Sequence, residues 1–518
     1  MSNPFLTRRT VLQGIAACTG LTAVPGMSWS ADGKVLNIRS NRDIQVLDPA
    51  SMIGGTEIDL QVACLASLAV FKPGDEIAWQ PSDFVESIEQ TDPTHIKFVL
   101  RPGIMWSGDN GELTAEDVKY SYERIANPEN KFPWKDKWGS LQGVKVNGKY
   151  EGVIELKQSF APLWLTTLCD GTGTIVCKAA TEKVGGKFTT EFPAQCGPYL
   201  MKEWLPKQHV VLVRNPQWNG PKPSIEEVRI LFINEETTGE LAFEAGEVDL
   251  TDVSLASSDR YRKQLPPQTK LYERPGLWWT WMGMNTDHPK LSDIRVRKAI
   301  QYAVDVRSIL EAAYGGVGPL SHGVVPPGLI GHRKSGAFDK QDIEKAKALL
   351  AEAGVSDLTL NIKVLNQTAN LTAAQIIQAN LADAGITLDI TPMDAGPFWN
   401  LGIEEKGDEW KDLQLWIMRF GDTPDPSQMT QWYVSDQVGV WNWERWKNPE
   451  FDELHKKGLV ESDPKVRDEI YLRMQQIMED TGAYVWITHE PYLAIYRDTI
   501  EPVILPGPRP YFPWFKWV

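Results

Sequence analysis

Two aspartates in one short loop are the first residues whose type and position suit a charged ligand. Asp422 and Asp425 lie in the segment GDTPDP, directly after the apolar run 413–420, which is typical of a buried strand. A carboxylate that a closing protein removes from water gains far more from a bound cation than it does in solution. The competing interpretation is that these aspartates only cap a proline-rich turn. We expect the ligand contact of this chain in this loop.

Tryptophan is unusually frequent, with 21 residues. Side chains alternate along a strand, so within the run 278–285 Trp279 and Trp281 share one face and Trp278 takes the other. We expect Trp279 and Trp281 to face a ligand cleft, with Trp399 and Asn442 as further candidate contacts. Aromatic walls beside a carboxylate suit an amine or a quaternary ammonium by cation–π attraction, and they suit sugar rings by stacking equally well.

The sequence offers no set of residues that is typical of catalysis or metal binding. It contains no phosphate-binding loop, no GxSxG turn, no HExxH pair and no CxxC. The adjacent acids Glu235 with Glu236 and Glu404 with Glu405 point apart on a strand, as solvated surface residues do. We therefore expect a protein that is not an enzyme and that needs no cofactor or metal. The alternative is a secreted hydrolase that uses a carboxylate pair in the same cleft.

The strand 278–285 leads into the clearest helical pattern of the chain. Ser292 is placed to cap the helix, and Gly315 with Gly316 end it in the left-handed conformation. The apolar residues between them repeat at helical spacing: Val296, Ile300, Ala303 and Val304. A mostly apolar run after Gly54 and Gly55 also predicts a helix, which extends to Val70.

Further elements indicate an α/β protein. Residues 358–365, 372–384 and 386–391 read as a strand, a helix and a strand, and residues 87–100 read as a hairpin. Thr114 and Asp117 have the spacing of a capping box at the start of another helix. Because 518 residues exceed what one core supports, we expect two or three lobes.

The N-terminal residues predict export. Arg8 and Arg9 precede an apolar run that is too short to span a membrane, in a segment that resembles the twin-arginine signal. We expect a signal peptide at residues 1–30, cleavage before Ala31 and a periplasmic protein. A lipid anchor at Cys18 is the alternative. The formal charge of −15 disfavours nucleic acid as a partner.

Four cysteines follow the signal, Cys64, Cys169, Cys177 and Cys196, in a compartment that permits disulfides. Cys169 and Cys177 are close in the sequence, but this spacing does not establish a bond.

Several separate motifs resemble one family. They are LRPGIMWSGDNGELTAEDVKYSYERI from residue 100, GPY with a later tryptophan and NP in residues 197–216, AGEVD at 245–249 and DIRVRKAIQYAVD at 293–305. Together they resemble the family 5 extracellular solute-binding proteins, which are the dipeptide, oligopeptide and nickel receptors of bacterial ABC importers.

The resemblance implies a two-lobed α/β periplasmic-binding-protein fold. Its discontinuous first lobe comprises residues 31–60, 191–276 and 488–518, with an extra subdomain at 61–190, and its second lobe comprises residues 277–487. It also implies a monomer that captures a small polar solute, peptide-like or a cationic amine, and delivers it to a membrane permease.

The resemblance further implies that Asp422 holds the ammonium group of the ligand. In the dipeptide receptors an arginine in the segment corresponding to 365–375 binds the peptide carboxylate, and this chain has no arginine there. Arg419 is the candidate substitute, and a structural ion pair is its other interpretation. The ligand stays open among a peptide, an opine-like conjugate, a betaine, an oligosaccharide and a metal complex.

Overall fold

The computed structural model describes residues 35–74, 76–421, 423–507 and 509–518. The predicted signal peptide with Arg8, Arg9 and Cys18 lies outside these residues, and so does Asp422. Two large sheets and one smaller sheet organise the described chain. None of the helices described is both long and apolar enough to cross a membrane.

The first lobe is built on a seven-stranded sheet whose strands come from three separate parts of the chain. In spatial order they are Tyr199–Leu205, His209–Arg214, Glu227–Phe232, Val35–Ser40, Leu250–Asp252, Pro491–Arg497 and Thr269–Pro275. Leu36 and Ile38 on strand Val35–Ser40 are buried, which anchors this strand between two parallel neighbours. Helices Glu236–Glu244 and Leu255–Lys263 accompany this sheet.

A smaller antiparallel sheet forms the extra subdomain. Its strands, in spatial order, are Val85–Asp92, His95–Leu100, Glu151–Leu156 and Leu141–Val146, so the predicted hairpin is confirmed. Helix Ala115–Ala126 begins with the predicted capping box of Thr114 and Asp117. Helix Gly55–Cys64 is shorter than predicted, because the chain turns into two short strands, Ala66–Ser67 and Ala69–Phe71, before Val70 is passed.

The second lobe is built on a five-stranded sheet. Its strands, in spatial order, are Thr387–Met393, Thr359–Leu365, Leu415–Gly421, Trp278–Met284 and Tyr484–Thr488. The predicted strand, helix and strand unit is confirmed, since helix Thr368–Asp383 connects two parallel neighbouring strands. The other helices of eight or more residues in this lobe are Ile294–Ala303, Val306–Ala313, Ile343–Glu352, Pro449–Val460 and Pro464–Asp480.

The helix predicted after the Trp278–Met284 strand is two helices. Asp293, not Ser292, caps the first one by accepting a hydrogen bond from the backbone N–H of Arg295. The helix stops before Val304, and Asp305 caps the second in the same way. The prediction was wrong here because an aspartate offers the first turn of a new helix a cap that competes with helix continuation. Gly315 and Gly316 do take positive φ at the end, as predicted.

Two adjacent crossings join the lobes. The chain passes from Thr269–Pro275 in the first sheet to Trp278–Met284 in the second, and it returns from Tyr484–Thr488 to Pro491–Arg497. The two strands of the first sheet that flank these crossings pair with each other. The lobes are therefore connected by two short segments that lie side by side.

Candidate functional site

A cavity of about 880 Å³ lies between the two lobes, and both contribute to its walls. Its charged residues are Arg39, Asp59, Glu236, Asp252 and Arg509 from the first-lobe side, Arg419 from the second lobe, and Glu490 from the crossing segment. Trp278, Trp399, Gln367 and Asn370 add aromatic and amide groups from the second lobe. The cavity thus presents both signs of charge and aromatic rings to whatever it encloses.

Glu490 in the crossing segment lines the cavity and accepts hydrogen bonds from two residues of the second sheet. Thr280 Oγ1 donates a hydrogen bond to one carboxylate oxygen of Glu490 at 3.0 Å, and Arg419 Nε donates to the other at 2.9 Å. The Arg419 guanidinium also stands 4.7 Å from the ring centroid of Trp278. Arg419 therefore forms a structural ion pair while its side chain, 47% exposed, still lines the cavity.

Asp252 is the hydrogen-bonded acid of the first-lobe wall. Tyr492 Oη donates to one of its oxygens at 2.7 Å, and Arg39 Nη1 lies 3.3 Å from the other. Burial raises the pKa of Asp252, and it raises the pKa of Glu236 on the same wall. Both carboxyl groups line the cavity, where a polar ligand would contact them.

Asp59 and Arg509 are wall residues that sequence reasoning missed. Asp59 Oδ1 is buried without a hydrogen-bond partner among the described residues. Burial raises the pKa of Asp59 to about 8; the nearby Arg509 opposes this shift, and Asp252 and Glu57 add to it. The only sequence signal for Asp59 was an acid inside a mostly apolar helix, and Arg509 had none.

The tryptophans of the strand face the opposite way from the prediction. Trp279 and Trp281 are 0% and 1% exposed in the core of the second lobe, where their indole N–H groups donate to Tyr433 at 3.0 Å and to Glu444 at 2.8 Å. Trp278 lines the cavity instead. The alternation was correct, but it does not say which face meets the other lobe.

Trp399 lines the cavity, and its contact with a ligand stays a prediction. Its ring stacks on Phe420 with centroids 6.2 Å apart, and Trp432 and Trp441 pack edge to face against Phe420. All four rings are only partly buried. We call these four residues the aromatic cluster, and it lies next to the loop that carries the two predicted aspartates.

Asp425 and Asn442 have the surroundings of structural residues. Asp425 caps helix Pro426–Thr430, and both its carboxylate oxygens lie 2.9 Å from Nη2 of Arg467. Asn442 is fully buried and donates to two backbone carbonyls. Neither residue lines the cavity, so this structure does not place Asp425 or Asn442 where the sequence predicted a ligand contact.

The described part of the chain gives little support for a metal site, a catalytic carboxylate pair or a disulfide bond. No group of three or more His, Cys, Asp or Glu residues there is placed to hold a metal. Of the predicted acid pairs, Glu404 bonds to Arg445 at 2.6 Å and only Glu236 reaches the cavity. The four cysteines described are all buried free thiols.

A cavity walled by two sheets, with two adjacent crossings behind it, defines a two-lobed ligand-binding protein. The family model "Bacterial extracellular solute-binding proteins, family 5 Middle" matches residues 82–446. The chain belongs to this family, so the resemblance seen in the sequence and the two-lobed α/β fold are both confirmed.

Relatives match over nearly the whole length. The chain is 27% identical to the probable D,D-dipeptide-binding periplasmic protein DdpA of Escherichia coli, over 88% of this chain and 89% of the relative. It is 26% identical to the periplasmic oligopeptide-binding protein OppA of Salmonella typhimurium, over 92% and 91%. The solved structure of HbpA2 from Haemophilus parasuis is similar with a TM-score of 0.81 and 22% identity, over 93% of this chain and 100% of that one.

Proposed function

We propose that this protein is the periplasmic receptor of an ABC importer, and that it binds a small polar solute, peptide-like or a cationic amine, and passes it to a membrane permease. The observation that carries the proposal is the cavity of about 880 Å³ between the lobes, within the roughly 300–1,000 Å³ typical of ligand sites. Its charges of both signs suit a solute with ammonium and carboxylate groups. Relatives named as dipeptide- and oligopeptide-binding proteins support this class. The receptor acts as a monomer, without a cofactor and without catalysis.

Asp422 is the proposed contact for the ammonium group, and in the sequence it follows Phe420 of the aromatic cluster by two residues. Asp422→Asn keeps the shape and removes the charge, so affinity for a bound cationic solute should fall by about 2–5 kcal/mol, because one partner of a desolvated charge pair is lost. Calorimetric titration of the solute that co-purifies from the periplasm measures this loss. If Asp422 is only a turn cap, Asn replaces it well, and both affinity and melting temperature will be retained.

Closure of the lobes is the second expectation. A solute that contacts both walls stabilises the closed arrangement, and two short crossing segments permit a hinge. Small-angle scattering should therefore give a smaller radius of gyration with saturating solute than without it. Identical scattering curves in the two states would count against a hinge.

The hydrolase alternative makes a different prediction for the same solute. A receptor changes its tryptophan fluorescence in a saturable manner and returns the solute unchanged, whereas a hydrolase releases product. Mass spectrometry of the solute after long incubation separates the two.

Export by the twin-arginine route remains a proposal that rests on the sequence of residues 1–30. Replacing Arg8 and Arg9 together by lysine is expected to leave the precursor in the cytoplasm. Fractionation with antibody detection measures its location, and Cys18→Ala serves as the matched control for a lipid anchor. Full secretion of the double-lysine variant would refute the twin-arginine assignment.

A further inference from the structure

One helix begins at the wall of the cavity with unsatisfied backbone donors. Gly55 and Thr56, the first residues of helix Gly55–Cys64, line the cavity, and the capping residue Gly54 has no side chain to accept a hydrogen bond. The backbone N–H groups of Gly55, Thr56 and Glu57 have no acceptor among the described residues. Free N–H groups and the positive end of the helix dipole favour an anion at this position.

Arg509 provides a second and independent observation at the same place. Its side chain is 10% exposed and lines the cavity, and its Nη1 has no hydrogen-bond partner in the described chain. Its Cδ lies 4.0 Å from the position that a Cβ on Gly55 would occupy. Asp170 forms an ion pair with Arg509 at 3.9 Å from Nη1, a distance beyond that of a hydrogen bond. The ion pair therefore compensates the charge but leaves the guanidinium, which is part of the cavity wall, free to donate hydrogen bonds to a ligand.

The neighbouring carboxylates limit the charge that this position accepts. Glu57 is engaged by Arg42 at 2.6 Å and by the backbone N–H of Gln45 at 3.0 Å. Asp59, whose pKa burial raises to about 8, carries a proton near neutral pH and can donate to an anion. Asp252 adds a further carboxyl group to the same wall. These surroundings suit a single negative charge better than a doubly charged phosphate.

We propose that the N-terminus of helix Gly55–Cys64 and Arg509 together bind a carboxylate group of the solute. This inference rests on the proposed function and narrows its ligand to solutes with a free carboxylate, such as peptides with a free C-terminus. A planar guanidinium beside backbone N–H groups binds both carboxylate oxygens.

The test compares trialanine with trialanine amide, which lacks the C-terminal charge. Calorimetric titration of the wild type should show tighter binding of the acid. Arg509→Gln should weaken binding of trialanine by about 30-fold or more and leave binding of the amide almost unchanged. Arg419→Gln is the matched control, because it removes a different cation of the cavity wall, and it should not weaken binding of the acid selectively. Arg509→Lys keeps a positive charge at this position, so it should lose less affinity for trialanine than Arg509→Gln does.

Two results would overturn the inference while the proposed function stands. One is that the wild type binds the acid and the amide equally, and the other is that Arg419→Gln and not Arg509→Gln loses affinity for the acid alone.

If the wild type binds neither peptide, the peptide-like ligand class fails, and the inference is then tested with sodium acetate. Acetate should raise the melting temperature of the wild type above that in sodium chloride of the same concentration, and not that of Arg509→Gln. An equal effect on both proteins would refute the carboxylate site. If Arg509→Gln does not fold, Arg509→Lys is compared with the wild type instead; it should lose affinity for the acid and not for the amide, because an ammonium group lacks the planar pair of donors. Unchanged binding of the acid by Arg509→Lys would then refute the carboxylate site.

Discussion

Asp425→Ala is expected to lower the free energy of unfolding by about 3–5 kcal/mol, because it leaves a buried cation without its partner. Arg467 is 9% exposed at its side chain, and Asp425 holds its Nη2 with two contacts of 2.9 Å. The same carboxylate accepts the backbone N–H of Ser427 at 2.9 Å, so the substitution also removes a helix cap that is worth about 1 kcal/mol. Chemical denaturation at neutral pH measures the total.

An exposed ion pair supplies the control for this prediction. Glu453 and Lys456 lie 2.8 Å apart with both side chains largely exposed, so Glu453→Ala should change the stability by about 1 kcal/mol or less. Solute affinity of the folded Asp425→Ala variant should match that of the wild type. Unchanged stability with lost affinity would instead make Asp425 the ligand contact that the sequence suggested.

The elements that could be predicted are those whose information is local. The strand, helix and strand unit of residues 359–393 follows from periodicity within each segment. The capping box of Thr114 and Asp117 needs only four neighbouring residues. These patterns depend on backbone geometry that adjacent residues set by themselves, so one sequence is enough.

The candidate site was harder to predict from the sequence, because its residues come together through contacts between distant parts of the chain. Arg509 near one end of the chain reaches the helix that starts at Gly55, and no local pattern connects them. The alternation of Trp278 and Trp279 was readable, but the face that meets the cavity is set by packing of the second lobe. Asp425 shows the same limit, because its partner Arg467 lies on another helix.

Glu444→Gln is expected to make the protein more stable in mildly alkaline solution. Glu444 is 1% exposed; Trp281 Nε1 donates to its Oε1 at 2.8 Å, and its Oε2 is buried without a partner among the described residues. Burial raises the pKa of Glu444 from 4.5 to about 8, and the hydrogen bond from Trp281 opposes this only in part. The folded protein therefore holds a proton on Glu444 at neutral pH that the unfolded chain has released.

The sign of the pH dependence follows from that proton. Stability from a group with a raised pKa is fully present below the unfolded value of 4.5 and is lost as the pH rises towards about 8. The loss is about 1.4 kcal/mol per pH unit, or roughly 4 kcal/mol between pH 5 and pH 8. A glutamine keeps an acceptor for Trp281 and has no proton to lose, so it removes this part of the slope.

Urea denaturation of both proteins at several pH values between 5 and 8 measures the effect as a difference between wild type and variant. This difference cancels the contribution of Asp59, whose pKa is also raised to about 8. The two free energies of unfolding should be similar near pH 5 and should diverge by roughly 4 kcal/mol at pH 8, with Glu444→Gln the more stable protein. Parallel curves for Glu444→Gln would mean that Glu444 is ionised in the folded protein, and a buried cation would then have to be sought beside Trp281.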